Sequence, residues 1–174
     1  FNTCNTTSGY TDSSAASNCV YSCAPPPVLA CGTTINSSTT LTANLNQTGA
    51  GSCITFGADS ITLDCAGYTI TGDKTATSYG VNSTGRNNIE VKNCIISNFT
   101  EAIHLSSTNS SLIKNNSAYN NSQYCVYLGS SNNNTITGNL VHNNTQYGVY
   151  LATSSNNSIS NNSAYGNSQS CIYL

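Results

Sequence analysis

Glu101-Ala102-Ile103-His104-Leu105, Tyr124-Cys125-Val126-Tyr127-Leu128 and Tyr147-Gly148-Val149-Tyr150-Leu151 align without gaps at a spacing of 23 residues. Ser170-Cys171-Ile172-Tyr173-Leu174 opens another copy 23 residues further on. Upstream, Tyr79-Gly80-Val81 lies 22 before Glu101, and Ser52-Cys53-Ile54-Thr55-Phe56 lies 27 before Tyr79. The extra residues fit an insertion at Gly72 to Ser78, and a weaker copy begins near Ala30-Cys31. A second row recurs inside each unit at Ile89/Val91, Ile113, Ile136 and Ile159. Three residues on stand Cys94, Asn116, Asn139 and Asn162, followed by Ile96, Ala118, Val141 and Ala164, then Phe99, Asn121, Asn144 and Asn167. Short strands parted by Asn, Ser and Gly turns, at a period too short for a propeller blade, predict a solenoid. No window carries a 3.6-residue period, so the repeat holds no helix. Three short strands per 22–23 residues predict an all-β parallel β-helix of about six coils plus a stub.

Each coil turns only two or three aliphatic side chains inward, too few for a core of its own. Stacking at ~4.8 Å places Ile over Val over Ile and joins these small clusters into continuous columns. At an inward bend, an Asn amide can hydrogen-bond the equivalent Asn one coil away, as in stacked β structures. The Asn rows are therefore read as structural, and no ligand site is assigned to them. Ile103, Val126, Val149 and Ile172 are expected inward, with Tyr127 and Tyr150 outward.

Composition closes off other classes. Of 174 residues, 27 are Asn, 27 Ser and 23 Thr, while only 6% are charged, against about 25% in ordinary domains. No basic patch exists for nucleic acid, and no apolar run reaches the ~18 residues of a membrane span. Disorder is opposed by nine Cys and 11 Tyr set among regularly spaced aliphatics. Many cysteines in a chain poor in Lys and rich in Asn and Thr point to an oxidising setting, hence a secreted, extracellular or cell-surface location. The absence of Met reads as a processed or partial chain.

The pattern Tyr147-Gly148-Val149-Tyr150-Leu151, followed by Ser155-Asn156-Asn157-Ser158-Ile159-Ser160-Asn161-Asn162, resembles the right-handed parallel β-helix repeat of the NosD-like and carbohydrate-binding/sugar-hydrolase group. Ile61-Thr62-Leu63-Asp64-Cys65-Ala66-Gly67-Tyr68-Thr69-Ile70, with Val91-Lys92-Asn93-Cys94, resembles the opening coils of surface proteins in that group. The resemblance covers roughly residues 30 to 174 and implies the right-handed fold. It says little of function, because lyases, epimerases, accessory proteins and structural fibres share the scaffold. Its lyases and hydrolases would need clustered carboxylates, and its copper-linked members a metal-ligand set.

Residues 1–30 lack the repeat, carry Cys4, Cys19 and Cys23, and end in Pro25-Pro26-Pro27. They read as an N-terminal extension or cap that shields the first coil's strand edges, with the β-helix occupying 31–174. Equivalent Cα atoms on adjacent coils lie within disulfide range, so Cys31–Cys53 and Cys65–Cys94 are candidate bridges. Partners for Cys4, Cys19 and Cys23 stay open. Cys125 and Cys171 share a row two coils apart, ~9.6 Å, too far to bridge, and are read as small buried fillers. No Cys-x-x-Cys is present, and no metal or cofactor is expected.

The titratable groups are few. Glu90 and Lys92 point the same way on one strand, with Asp64 and Lys114 on the flanking coils, and read as a charge-compensated outer face. Glycoside hydrolysis needs paired carboxylates ~5–10 Å apart, and no charged residue occurs from Gln123 onward, so no catalytic residue is assigned. His104 and His142 fall in different columns, which argues against a shared metal. Tyr127, Tyr150 and Tyr173 should stack into an exposed ladder that rigidifies the sheet, with contact to a polysaccharide or a neighbouring chain as the functional reading.

Asn-x-Ser/Thr occurs 12 times, at Asn5, Asn36, Asn46, Asn82, Asn98, Asn109, Asn115, Asn120, Asn133, Asn143, Asn156 and Asn161, somewhat above what composition alone gives. Covalent N-glycans on outward turns are expected. Leu174 follows the first strand of a new coil with no cap, so either the chain continues or a second copy docks there head to tail, propagating a filament. The function expected is a non-catalytic extracellular structural glycoprotein, a self-assembling fibre or surface-filament subunit. The alternative is a carbohydrate-binding or carbohydrate-active β-helix whose active residues lie outside this segment.

Overall fold

The computed structural model describes residues 29–75 and 77–174. Cys4, Cys19, Cys23 and Asn5, with most of the expected N-terminal cap, lie outside the described residues. The described chain is a right-handed parallel β-helix of about six turns, the hand that parallel crossovers take almost without exception.

Three sheets run the length of the solenoid. The first has seven strands: Thr33–Ile35, Gly51–Phe56, Ser78–Thr84, Glu101–Ser106, Tyr124–Gly129, Val149–Ala152 and Ile172–Tyr173. The second stacks Thr39–Thr40, Thr62–Asp64, Glu90–Lys92, Leu112–Lys114, Thr135–Thr137 and Ser158–Ser160. The third stacks Leu45–Asn46, Thr69–Thr71, Ile95–Ser97, Ser117–Tyr119, Leu140–His142 and Ser163–Tyr165. Every ladder is parallel, and its register follows the sequence repeat: Ile103 pairs with Val126, Val126 with Val149, and Val91, Ile113, Ile136 and Ile159 form one row.

Burial of these rows supplies the core, with Ile54, Val81, Ile103 and Val149 wholly buried and Val126 nearly so. Strands of two or three residues expose one inward side chain each, so no strand is stable apart from its neighbours above and below. Polar turns hold the coils at the corners. In the column Cys94, Asn116, Asn139 and Asn162, the backbone N–H of each of the first three donates to the Asn Oδ1 of the next coil at 2.9–3.0 Å. The side-chain amides of Asn116, Asn139 and Asn162 donate back to the carbonyls of Val91, Ile113 and Ile136. Phe99, Asn121, Asn144 and Asn167 repeat the backbone pattern at the next corner. A third ladder, through Ser111, Asn134 and Asn157, begins at the Ile89 N–H.

Each Asn rung is preceded by a residue in the left-handed region. Asn93, Asn115 and Asn161 take φ of 55°, and Gly138 substitutes in that column at 67°. Asn tolerates this conformation better than other side chains, and Gly does so freely.

Candidate functional site

Two cysteine pairs are joined, Cys31 to Cys53 and Cys65 to Cys94, each across adjacent coils. Cys125 is free and buried. Its thiol donates to the Ala118 carbonyl and receives the Asn144 amide at 2.7 Å, and burial pushes it up to about 12. Cys171, expected as a buried filler, is exposed. Its Sγ reaches the Ala164 carbonyl as Cys125 reaches Ala118, but no described coil stacks above it.

Four charged residues, Asp64, Glu90, Lys92 and Lys114, gather on the outer face of the second sheet. Lys114 pairs with Glu90 at 2.8 Å, and Lys92 lies 3.5 Å from Asp64 and 3.8 Å from Glu90. Asp64 also accepts from the Asn93 amide and the Ala66 N–H, which with Lys92 hold its carboxyl below the usual carboxylate range. Hydrogen bonds from Lys114 and Thr62 lower Glu90 likewise. A general acid needs the opposite shift. This is a compensated face, and its carboxylates are poor proton donors at neutral pH.

The first sheet carries the larger feature, an aromatic stripe two columns wide. Tyr127, Tyr150 and Tyr173 follow His104 in one column, and Tyr79, Glu101 and Tyr124 run along the other, continued by Tyr147. Ring centroids lie 4.4 Å apart for Tyr79–His104, 5.0 Å for His104–Tyr127, 5.7 Å for Tyr124–Tyr147 and 4.8 Å for Tyr147–Tyr173. The expectation of an exposed Tyr127–Tyr150–Tyr173 ladder needs correcting. Tyr127 and Tyr150 are half-buried because the second column packs beside them, and only Tyr173 is exposed, at 47%.

Strict alternation would have sent Tyr124 and Tyr127 to opposite faces. Instead Cys125 and Val126 both turn inward, and so do Ala102–Ile103 and Gly148–Val149. The strand bends between these pairs, so residues three apart emerge on the same side. The recurring i, i+3 spacing of Glu101/His104, Tyr124/Tyr127 and Tyr147/Tyr150 was the signal for the second column.

Glu101 sits inside the stripe, 6% exposed, with its Oε2 2.7 Å from His104 Nδ1. Burial first, then the Glu101 charge, raises the phenols of Tyr79, Tyr124 and Tyr127 above their ordinary value. His142 lies on the third sheet, stacked between Tyr119 and Tyr165 at 5.1 and 4.9 Å.

The sequons fall into a structural pattern. Six of them read Asn-Asn-Ser/Thr, beginning at Asn115, Asn120, Asn133, Asn143, Asn156 and Asn161. In each, the first Asn holds the left-handed corner and is exposed, at φ of 55–59°. The second Asn is an inward ladder rung, and the Ser or Thr leaves the corner. Part of the sequon excess therefore follows from how these corners are built. Asn36 and Asn46 are exposed too, while Asn82, Asn98 and Asn109 are half-buried. Asn109 is tied to Asn87 and Asn132, and Asn98 accepts from Asn120.

Fold and surface together define a right-handed parallel β-helix repeat protein. The family model described as periplasmic copper-binding protein (NosD) matches residues 31–174, and the chain belongs to that family. No curated protein and no solved structure matches it. The described residues do not fit a copper site. Among the described residues no three His, Cys, Asp or Glu side chains gather in one place. His104 Nδ1 is engaged by Glu101, His142 lies on another sheet, four cysteines are oxidised in pairs, and the buried Cys125 holds its proton.

Proposed function

We propose that this protein is a non-catalytic structural subunit working outside the cytoplasm, an N-glycosylated solenoid that stacks head to tail into a filament. The regularity of the stack carries this reading: all three sheets are parallel and repeat their register coil after coil. A stack built this way takes one more coil of the same kind on a strand edge, and a second copy would supply it through a heterologous contact that does not close on itself. The periplasmic description of the family suits the two disulfides. Glycans on the exposed corner Asn residues would project from the turns and leave the inward rungs undisturbed.

The carbohydrate-binding alternative draws less support. In the near-parallel pairs of the stripe, such as Tyr124–Tyr147 at 15° and Tyr147–Tyr173 at 19°, the rings cover one another's faces. Sugar stacking needs those faces free.

Electron microscopy of the purified full-length protein at neutral pH, with intact-mass analysis, tests the proposal. Fibres with an axial repeat of one subunit, and a mass above the bare polypeptide, are the expected result. Monodisperse monomers would overturn assembly, as would a longer chain whose own next coil covers Ile172. A mass equal to the polypeptide would overturn glycosylation.

A further inference from the structure

Both disulfides among the described residues lie at or before Cys94. Beyond it the described cysteines are Cys125 and Cys171, free and two coils apart. The same coils carry the crowded part of the aromatic stripe, and Tyr150 is its hub. The Tyr150 ring centroid lies 5.1 Å from that of Tyr124, 5.3 Å from Tyr147, 5.4 Å from Tyr173 and 5.6 Å from Tyr127. All four pairs are tilted, by 46–60°, where Tyr124–Tyr127, Tyr124–Tyr147 and Tyr147–Tyr173 are stacked at 15–19°. Tyr150 thus has four phenol rings within 5.6 Å, more than any other tyrosine of the stripe.

We propose that Tyr150 is an oxidative cross-linking site, which a one-electron oxidant of the peroxidase or metal–peroxide class couples to Tyr124, Tyr127 or Tyr173 on an adjacent coil. Each phenol gives up one electron and its hydroxyl proton, forming a phenoxyl radical. Two radicals join through the ring carbons ortho to oxygen. The hydrogens on those carbons then move to the oxygens and restore both phenols. One carbon–carbon bond is made, two protons are released, and two equivalents of oxidant are reduced. Half-burial beside other rings keeps a Tyr150 radical among aromatic partners. The bond would staple coils that lack a disulfide, and it stands on the ring geometry independently of filament formation.

The experiment uses the purified full chain at low concentration, illuminated with a ruthenium tris-bipyridyl photo-oxidant and persulfate. The monomer fraction is then separated, and dityrosine fluorescence and peptide masses are read. The expected result is a cross-linked pair containing Tyr150 and lighter by two hydrogens. Tyr150→Phe, which keeps the ring and its packing, should lose most of the signal, whereas Tyr68→Phe should leave it unchanged. Dityrosine that is absent from the monomer, found only between molecules, or undiminished in Tyr150→Phe would overturn the proposal.

Discussion

The coils before and after about Glu101 solve the same corner in two ways. In the second-corner column the residues run Leu41, Cys65, Cys94, Asn116, Asn139 and Asn162, so an apolar and disulfide-linked interior gives way to an amide ladder. The neighbouring corners change at the same height: Ile61 and Ile89 yield to Ser111, Asn134 and Asn157, and Phe99 yields to Asn121, Asn144 and Asn167. Charge follows the same division, since the ion pairs of Asp64, Glu90, Lys92 and Lys114 have no counterpart further on. A solenoid needs every inward corner filled and every buried N–H satisfied. Large apolar groups with disulfides meet that demand at one end, and small amides that bond along the axis meet it at the other.

The largest effect should come from Val126→Asp, which puts an unpaired charge into a column with 1% exposure. A loss of about 4 kcal/mol or more is expected. Hydrogen exchange should show the coils around Val126 opening while the disulfide-held coils stay protected. Uniform loss of protection would mean that the two halves fold as one unit.

Replacing Cys65 and Cys94 together by Ser should cost about 2–5 kcal/mol. In a denaturant titration the transition reported by the early coils should move to lower denaturant. Equal movement of both halves would erase the distinction between them.

Asn139→Ala removes the acceptor of the Asn116 N–H and leaves the Ile113 carbonyl without its side-chain donor. About 1–3 kcal/mol is expected from those unpaired buried groups. Asn139→Leu tests whether the apolar filling of Leu41 can be moved along the column. It should cost no less, because the N–H of Asn116 is left unpaired in both variants. Thermal melts of the two variants compare the solutions directly.

The smallest effect concerns acid. Asp64 and Glu90 are held below their ordinary values in the folded state, so they contribute stability that is present above the ordinary carboxylate range. It is lost as pH falls through that range toward their folded values. Their partial exposure keeps the effect small. A melt series should show the early coils weakening with acid and the late coils, which carry no carboxylate, unchanged. Equal weakening of both would assign the acid sensitivity elsewhere.

Much of this was legible in a period of 23. The inward rows of Val126 and Ile136, the Asn columns and both disulfide pairs follow from which residues recur at equal offsets, because stacking converts offset directly into contact. The second aromatic column was not legible from alternation, because Cys125 and Val126 turn inward together. The bond between Glu101 and His104 was hidden for the same reason, since residues three apart in a regular strand face opposite ways. Cys171 was misplaced because its column predicts burial only where another coil lies above it.

The repeat by itself determined the coil length, the parallel register and the identity of each column, since one residue of slip would turn every inward side chain out. Only the tertiary structure decided how the columns meet one another. The bend inside the long strands brought Tyr124 and Tyr147 beside Tyr127 and Tyr150, buried Glu101 against His104, and kept His142 on a separate sheet. Those contacts lie across the coil, where spacing along the chain carries no information and the angle of the backbone at one bend sets which side chains touch.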